Sequence, residues 1–322
     1  MSKVFVTGGA GFVGSHLVKK LCDEGHHVTI YDSFQQYIFP VDDNYVNNIR
    51  YRAEKLTQEA RTLRGNTLNK DDLRRTLLQE KPDYIVHFAA LPLANLAIHQ
   101  SEEAFDSILR GTVNILEVLR DVDFVSKLVY ISSSMVYGDF VADPQPEDAP
   151  TQPKDVYGAL KLSGEILVRT YAQRYGVTYA IVRPSAVYGP SDNNRRVLQI
   201  FLENAMQGKP LTVKNGQRTF LDFSYVEDTA EGIKRVTLSP QANGETFNIT
   251  RGQGRSLMEA VAIIREHFPQ LEVAASDEET FHPKRGAMDT RKAQDLVGYR
   301  PCFDLEQGIA RYVEFLHNHY RR

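Results

Sequence analysis

The chain has no tryptophan, only two cysteines in 322 residues, and no surplus of basic charge: 38 Lys and Arg stand against 41 Asp and Glu, a net charge of −3. Each shortage excludes something. Without an excess of Lys and Arg there is little to hold a phosphate backbone, so no nucleic-acid partner is expected. Cys22 and Cys302 lie near opposite ends of the chain, without a CxxC spacing or a histidine cluster beside them. That usage excludes a disulfide framework and a structural zinc site, and it fits a reducing compartment. No metal is expected. Long hydrophobic runs are also missing. The most apolar window, Tyr84 to Ile98, is broken by His87, Pro92 and Asn95 and falls short of the roughly 20 residues that span a bilayer. The opening segment, Met1 to Phe12, lacks the apolar core of a secretory signal. A cytoplasmic chain with no membrane contact is expected.

What is present is ordinary for a soluble globular protein: 42% hydrophobic and 25% charged residues. At about 150 residues per domain the length suggests two domains, or one large domain with an appendage. Val4 to Val6, His27 to Tyr31, Asp83 to His87, Lys127 to Ile131 and Val177 to Val182 are apolar, β-rich runs. Between them Val13 to Leu21, Lys70 to Gln79, Ala104 to Leu119 and Val156 to Arg174 have helical spacing. Strands alternating with helices of this length predict an α/β fold, with a parallel sheet covered on both faces. After residue 183, Pro184, Gly189 and Pro190 break the rhythm. Two helices, Ser256 to Phe268 and Leu305 to His317, are read in the remainder. The segment from Ser33 to Asn48 is polar and aromatic and supports no assignment.

Thr7-Gly8-Gly9-Ala10-Gly11-Phe12-Val13-Gly14 lies between the first strand and the first helix. Glycine at Gly8, Gly11 and Gly14 permits a tight turn, close approach of a pyrophosphate, and close helix–strand packing. The backbone N–H groups at Phe12 and Val13, with the positive end of the helix dipole, suit phosphate oxygens. Asp32 ends the second strand 18 residues after Gly14. A carboxylate there accepts ribose hydroxyls and repels a 2′-phosphate, which favours NAD over NADP. The pattern predicts a doubly wound Rossmann sheet in residues 1–183. Residues 184–322 are expected to form mainly a smaller, mixed α/β substrate lobe whose chain crosses back to the first domain.

Tyr157 and Lys161 are four residues apart, one turn on the same helix face. A phenol with a pKa near 10 is a poor base, and an adjacent ammonium makes it a better one. Such a pair also arises on ordinary exposed helices. It gains meaning from Ile131-Ser132-Ser133-Ser134-Met135-Val136-Tyr137-Gly138, which follows a strand whose C-terminal end is where ligands of open α/β sheets bind. A serine there either donates to a reacting oxygen or satisfies its own backbone.

With these parts in order, the whole chain resembles the sugar-nucleotide epimerase/dehydratase family of extended short-chain dehydrogenases/reductases. Thr7 to Gly14 is similar to the family's cofactor turn, and Val86 to Ala90 to its H-x-A-A strand end. Ser132 to Gly138 and Tyr157/Lys161 are similar to its catalytic segments. Arg183 to Pro190, Tyr225 to Asp228 and Phe247 to Ile249 are similar to its R-x-x-N-V-Y-G-P, Y-V-D-D and F-N-I segments. The resemblance implies a bound NAD contacted by Gly8, Gly11, Phe12, Val13, Gly14, Asp32, Asn66, Thr67, Phe88, Ala89, Ala90, Tyr157 and Lys161. It assigns the catalytic hydroxyl to Ser133, the base to Tyr157, and the charge that tunes the base to Lys161.

Departures from the family pattern narrow the reaction. Dehydratases carry Asp and Glu after the catalytic hydroxyl; here Ser134 and Met135 stand there, and methionine moves no proton. The resemblance therefore implies epimerisation, through a transient 4-keto sugar, of a UDP-hexose or UDP-hexuronic acid. A 4-keto-sugar reductase with exchangeable NAD(P)H is the enzymatic alternative, and a silent NAD-binding scaffold the non-enzymatic one. The family asparagine is Ala186 here, with Ser185 as a stand-in, and a diphosphate-binding arginine is replaced by Leu221. Arg195, Arg196 and Arg285 are the replacement cations. Ser134, Met135 and Tyr188 are expected to line the sugar pocket, and His87 to be structural. The resemblance further implies a homodimer built on the helices 104–119 and 156–174.

Overall fold

The computed structural model describes residues 1–39, 41–277 and 283–320. Seven strands form one sheet: β1 (Lys3–Thr7), β2 (His27–Asp32), β3 (Arg61–Arg64), β4 (Tyr84–His87), β5 (Lys127–Ile131), β6 (Tyr179–Pro184) and β7 (Thr246–Ile249). Their spatial order is β7-β6-β5-β4-β1-β2-β3, and every neighbouring pair is parallel. Val4, Phe5 and Val6 at the sheet centre are buried together because both faces are covered. The chain runs outward from β1 to β3, then jumps back to place β4 beside β1. Helices leaving these two strands diverge and open a crevice at their C-terminal ends.

Nine helices of nine residues or more lie among the described residues: α1 (Phe12–Asp23), α2 (Asp43–Tyr51), α3 (Lys70–Glu80), α4 (Gly111–Leu119), α5 (Val156–Tyr175), α6 (Val197–Met206), α7 (Val226–Leu238), α8 (Leu257–His267) and α9 (Leu305–His319). Leu17, Val18 and Leu21 of α1 pack with Ala230, Ile233 and Val236 of α7 on one sheet face. Leu73 and Leu77 of α3, Leu116 of α4 and Val168 of α5 cover the other. A separate core joins α6, α8 and α9 with the short paired strands Leu211–Lys214 and Val273–Ser276. The chain after residue 183 is thus divided: α7 and β7 return to the first sheet, and the rest builds the lobe across the crevice. No helix among the described residues is long and apolar enough to cross a membrane.

Three details depart from the periodicity reading. The stretch read as one helix from Ala104 to Leu119 carries a wide turn, Phe105–Arg110, before α4. Within the unassigned 33–48 segment α2 begins at Asp43, with the Asp42 carboxylate accepting from the Tyr45 N–H at 2.7 Å. Strand β3, Arg-Thr-Leu-Arg, is an exposed edge with no fully buried side chain, so its sequence carries no apolar run.

Candidate active site

The crevice is a single cleft of about 1460 Å³ running from Asp32 and Asn66 at one end to Leu221 and Arg285 at the other. Its floor is the glycine turn. Gly8 has φ of +71°, and a Cβ there would stand 2.8 Å from the Ala89 nitrogen; one on Gly14 would stand 2.5 Å from the Gly8 carbonyl oxygen. Side chains at these two positions would push the turn off β4 or α1 off the turn. Gly11 precedes α1 in extended conformation, and Phe12 and Val13 begin the helix on the cleft wall. Asp32 closes this end, accepting from Ala10 N–H at 3.0 Å and Phe34 N–H at 2.8 Å, while burial pushes its pKa up. Asn66, Thr67, Phe88, Ala89 and Ala90 also line it. Asn66 accepts from Leu68 N–H at 2.9 Å. A glycine cradle opening on a helix N-terminus, with a carboxylate beyond it, fits a dinucleotide.

At the middle of the cleft the strand exit and α5 meet. Ser133 ends the extended run after β5, and its Oγ accepts from Met135 N–H at 3.2 Å. Asp155 caps α5 by accepting from Gly158 N–H at 2.7 Å, which sets the first turn and hence Tyr157. Burial raises the Tyr157 pKa; the Arg196 guanidinium and the Ser133 hydroxyl, both beside it, pull the other way. Lys161 is buried, donates to Ile131 O at 2.8 Å, and lies 5.8 Å from the Tyr157 ring centre. Burial pushes the Lys161 pKa down to about 7, against the attraction of Glu165. Ser133, Tyr157 and Lys161 therefore share one patch of cleft wall.

Behind them stands a network that motif reading overlooked. Glu165, one turn beyond Lys161, accepts from Ser132 Oγ at 2.6 Å and from Arg183 at 2.9 and 2.7 Å. Arg183 also donates to the Tyr137 hydroxyl at 2.8 Å, and that hydroxyl donates to Asn248 at 2.8 Å. The buried pair thus ties β5, α5, β6 and β7 together directly beneath Ser133. The i, i+4 step from Lys161 to Glu165 was the available sequence signal.

Toward the second lobe, Ser134 and Ser185 are buried and hydrogen-bonded at 3.2 Å, and Met135 lies beside them on the wall. Ala186, Leu221, Thr219 and Leu257 continue the lining. Arg195, Arg196 and Arg285 all reach the cleft. Arg195 is paired with Glu203 at 3.0 Å and Arg196 with Asp192 at 2.9 Å, the latter lying over the Phe12 ring. The Arg285 Nε has no hydrogen-bond partner among the described residues, and burial lowers the group's pKa to about 10. Tyr188 requires a correction. It is 2% exposed in the second core, edge-on to Phe223 and Tyr225, with its hydroxyl against Gly308. Val187 and Tyr188 pair with Ser224 and Tyr225 as a short parallel strand, so consecutive side chains face opposite ways. Val187 takes the cleft face and Tyr188 the core.

His87 lies between Thr7 at 2.7 Å and Thr112 at 3.1 Å, and burial holds its pKa down to about 3. Among the described residues no group of three or more His, Cys, Asp and Glu is placed to hold a metal ion.

A model of the NAD dependent epimerase/dehydratase family matches residues 4–250. A UDP-glucose 4-epimerase of Mycolicibacterium smegmatis is 30% identical over 334 residues, covering 98% of this chain and 99% of that one. Among solved structures, a UDP-glucuronic acid 4-epimerase from Bacillus cereus, in complex with UDP-glucuronic acid and NAD, superposes with a TM-score of 0.88 at 25% identity, over 99% of this chain and 100% of that one. The UDP-glucose 4-epimerase of Thermus thermophilus in complex with NAD gives a TM-score of 0.83 at 26% identity, over 98% of this chain and 99% of that one.

Proposed function

The chain belongs to the NAD dependent epimerase/dehydratase family, and from that premise we propose that it inverts carbon 4 of a UDP-hexose or UDP-hexuronic acid. The observation that carries this reading is one stretch of cleft wall: a hydroxyl, a phenol and an ammonium stand together, followed by a residue that moves no proton. Bound NAD would supply the acceptor that takes a hydride from carbon 4 and returns it to the other face, so no net oxidation occurs. Gly8, Gly11 and Gly14 with the start of α1 would hold its phosphates, and Asp32 its ribose. Tyr157, as phenolate, takes the proton from the sugar's O4, while Ser133 donates a hydrogen bond to the same oxygen. Lys161 favours the phenolate through its charge. Proton return from Tyr157 to O4 completes the cycle.

Dehydration would need an acid and a base over carbons 5 and 6. Ser134 and Met135 occupy that wall, and Ser134 is engaged with Ser185, so the keto sugar meets no acid and base for elimination and is returned by reduction. The diphosphate is assigned to Arg195, Arg196 and Arg285, whose forked donors suit it. Two chains are proposed to pair through α5 and the helical run before α4, where Phe105 is 49% and Ile166 is 55% exposed. A single monomeric species in sedimentation at micromolar concentration would remove that pairing.

The reaction is tested by incubating the protein, without added cofactor, with UDP-sugars and following the ring protons by NMR. A new C4 epimer of unchanged mass is expected. Product formed only with stoichiometric NADH or NADPH and a keto sugar would make the protein a reductase.

A further inference from the structure

Arg52 begins the turn that follows α2. It is 8% exposed, and it lines the cleft at the Asp32 end. Its Nε has no hydrogen-bond partner among the described residues. The acids that face it are engaged elsewhere: Asp32 accepts from two backbone N–H groups, and Asp192 accepts from Arg196 at 2.9 and 3.1 Å. Tyr45 adjoins it from α2, and His16, which Arg52 helps to keep neutral, from α1. A guanidinium N–H taken out of water and left without an acceptor is costly. It is retained where a ligand supplies the acceptor.

The chemistry of that ligand follows from what the neighbouring acid already does. A ribose diol needs an acceptor, and Asp32 is one; a forked cation next to it is superfluous for a diol but suited to a phosphate oxygen. We propose that Arg52 is a phosphate ligand for the adenosine half of the bound dinucleotide. The phosphate has two possible sources, the pyrophosphate shared by NAD and NADP, or the 2′-phosphate carried by NADP alone. Arg52 lies outside every motif of the cofactor turn. It reaches the cleft only because α2 and its following wide turn fold back against α1. The inference rests on a dinucleotide filling this end of the cleft, and binding of NAD by the unaltered, nucleotide-stripped protein checks that separately.

The test measures equilibrium binding of adenosine, NAD and NADP to the stripped protein, with R52M and R52K beside it. R52M is expected to bind the phosphate-bearing ligand about tenfold to a hundredfold more weakly, with adenosine unchanged and R52K in between. Equal loss for NAD and NADP identifies the pyrophosphate as the source, and loss for NADP alone identifies the 2′-phosphate. Unchanged binding of both dinucleotides, or an equal loss for adenosine, overturns the proposal. Melting of the nucleotide-free proteins gives a second reading. R52M should melt no lower than the unaltered chain, because it removes a buried N–H without an acceptor and leaves Asp32 and Asp192 their other donors. A clearly lower melting temperature would mean that Arg52 holds the wall together and would also overturn the proposal.

Discussion

A single phenol carries the proposed proton transfer, and its surroundings are divided over it. Burial, with the nearby Asp155 carboxylate, opposes the phenolate of Tyr157, while the Arg196 guanidinium and the Ser133 hydroxyl favour that form. Tyr157→Phe keeps the ring that packs against Ile108 and Leu91 and removes only the hydroxyl. It should reduce turnover by about 10²- to 10⁴-fold while leaving nucleotide content unchanged; a variant with near-normal turnover would sink the mechanism. Lys161 calls for a different measurement. With its pKa pushed down to about 7, it is half charged near neutrality, and its help to the phenolate fades as pH rises further. Lys161→Met removes that help at every pH. Turnover should fall at least about a hundredfold, and the acid-side half-maximum of the rate profile should move upward, since a phenol without the ammonium ionises later. A profile that drops in height without moving would assign Lys161 to binding alone.

At the scale of elements, the first turn is both anchor and floor. Gly14→Ala would put a methyl 2.5 Å from the Gly8 carbonyl oxygen, against backbone that cannot yield without moving α1. The expected result is protein that purifies without nucleotide and melts lower, both measured on the same preparation. Retained nucleotide at normal stability would show that α1 can shift without losing the cradle. This turn was legible in the sequence because its function forces a residue type at fixed spacing. So were β1, β4 and β5, whose burial on both faces writes continuous apolar runs. What escaped lacks such a signature. β3 is a polar edge strand, and α2 is a short helix in a polar, aromatic segment. Arg52 matters through tertiary placement alone. Tyr188 was misplaced because a motif names neighbours without saying which face each takes. One strand step separates Val187 in the cleft from Tyr188 in the core.

Across the whole molecule, the two sides of the sheet are each held by a neutral, buried imidazole. His87 joins β1 to α4 through Thr7 and Thr112, and His16 joins α1 to the loop at Pro190. Burial lowers their pKa values to about 3 and about 4 from 6.5. The unfolded chain therefore binds more protons than the folded one between those values and 6.5. The stability these groups provide is fully present above pH 6.5 and is lost as pH falls toward their folded pKa values. Asp222 works in the opposite direction. Burial raises its pKa from 3.8 to about 6, so the folded state gains relative stability as pH falls through that interval. Burial raises the pKa values of Asp32, Glu147, Glu203 and Asp228 in the same direction as that of Asp222, so the contribution of His87 is read from a substitution at that position. His87→Gln keeps hydrogen-bonding atoms near Thr7 and Thr112 but cannot titrate. It should be less stable at pH 7, yet lose less stability on acidification than the unaltered protein. Parallel pH curves for the two proteins would show that His87 does not contribute to acid unfolding and would leave that role to His16.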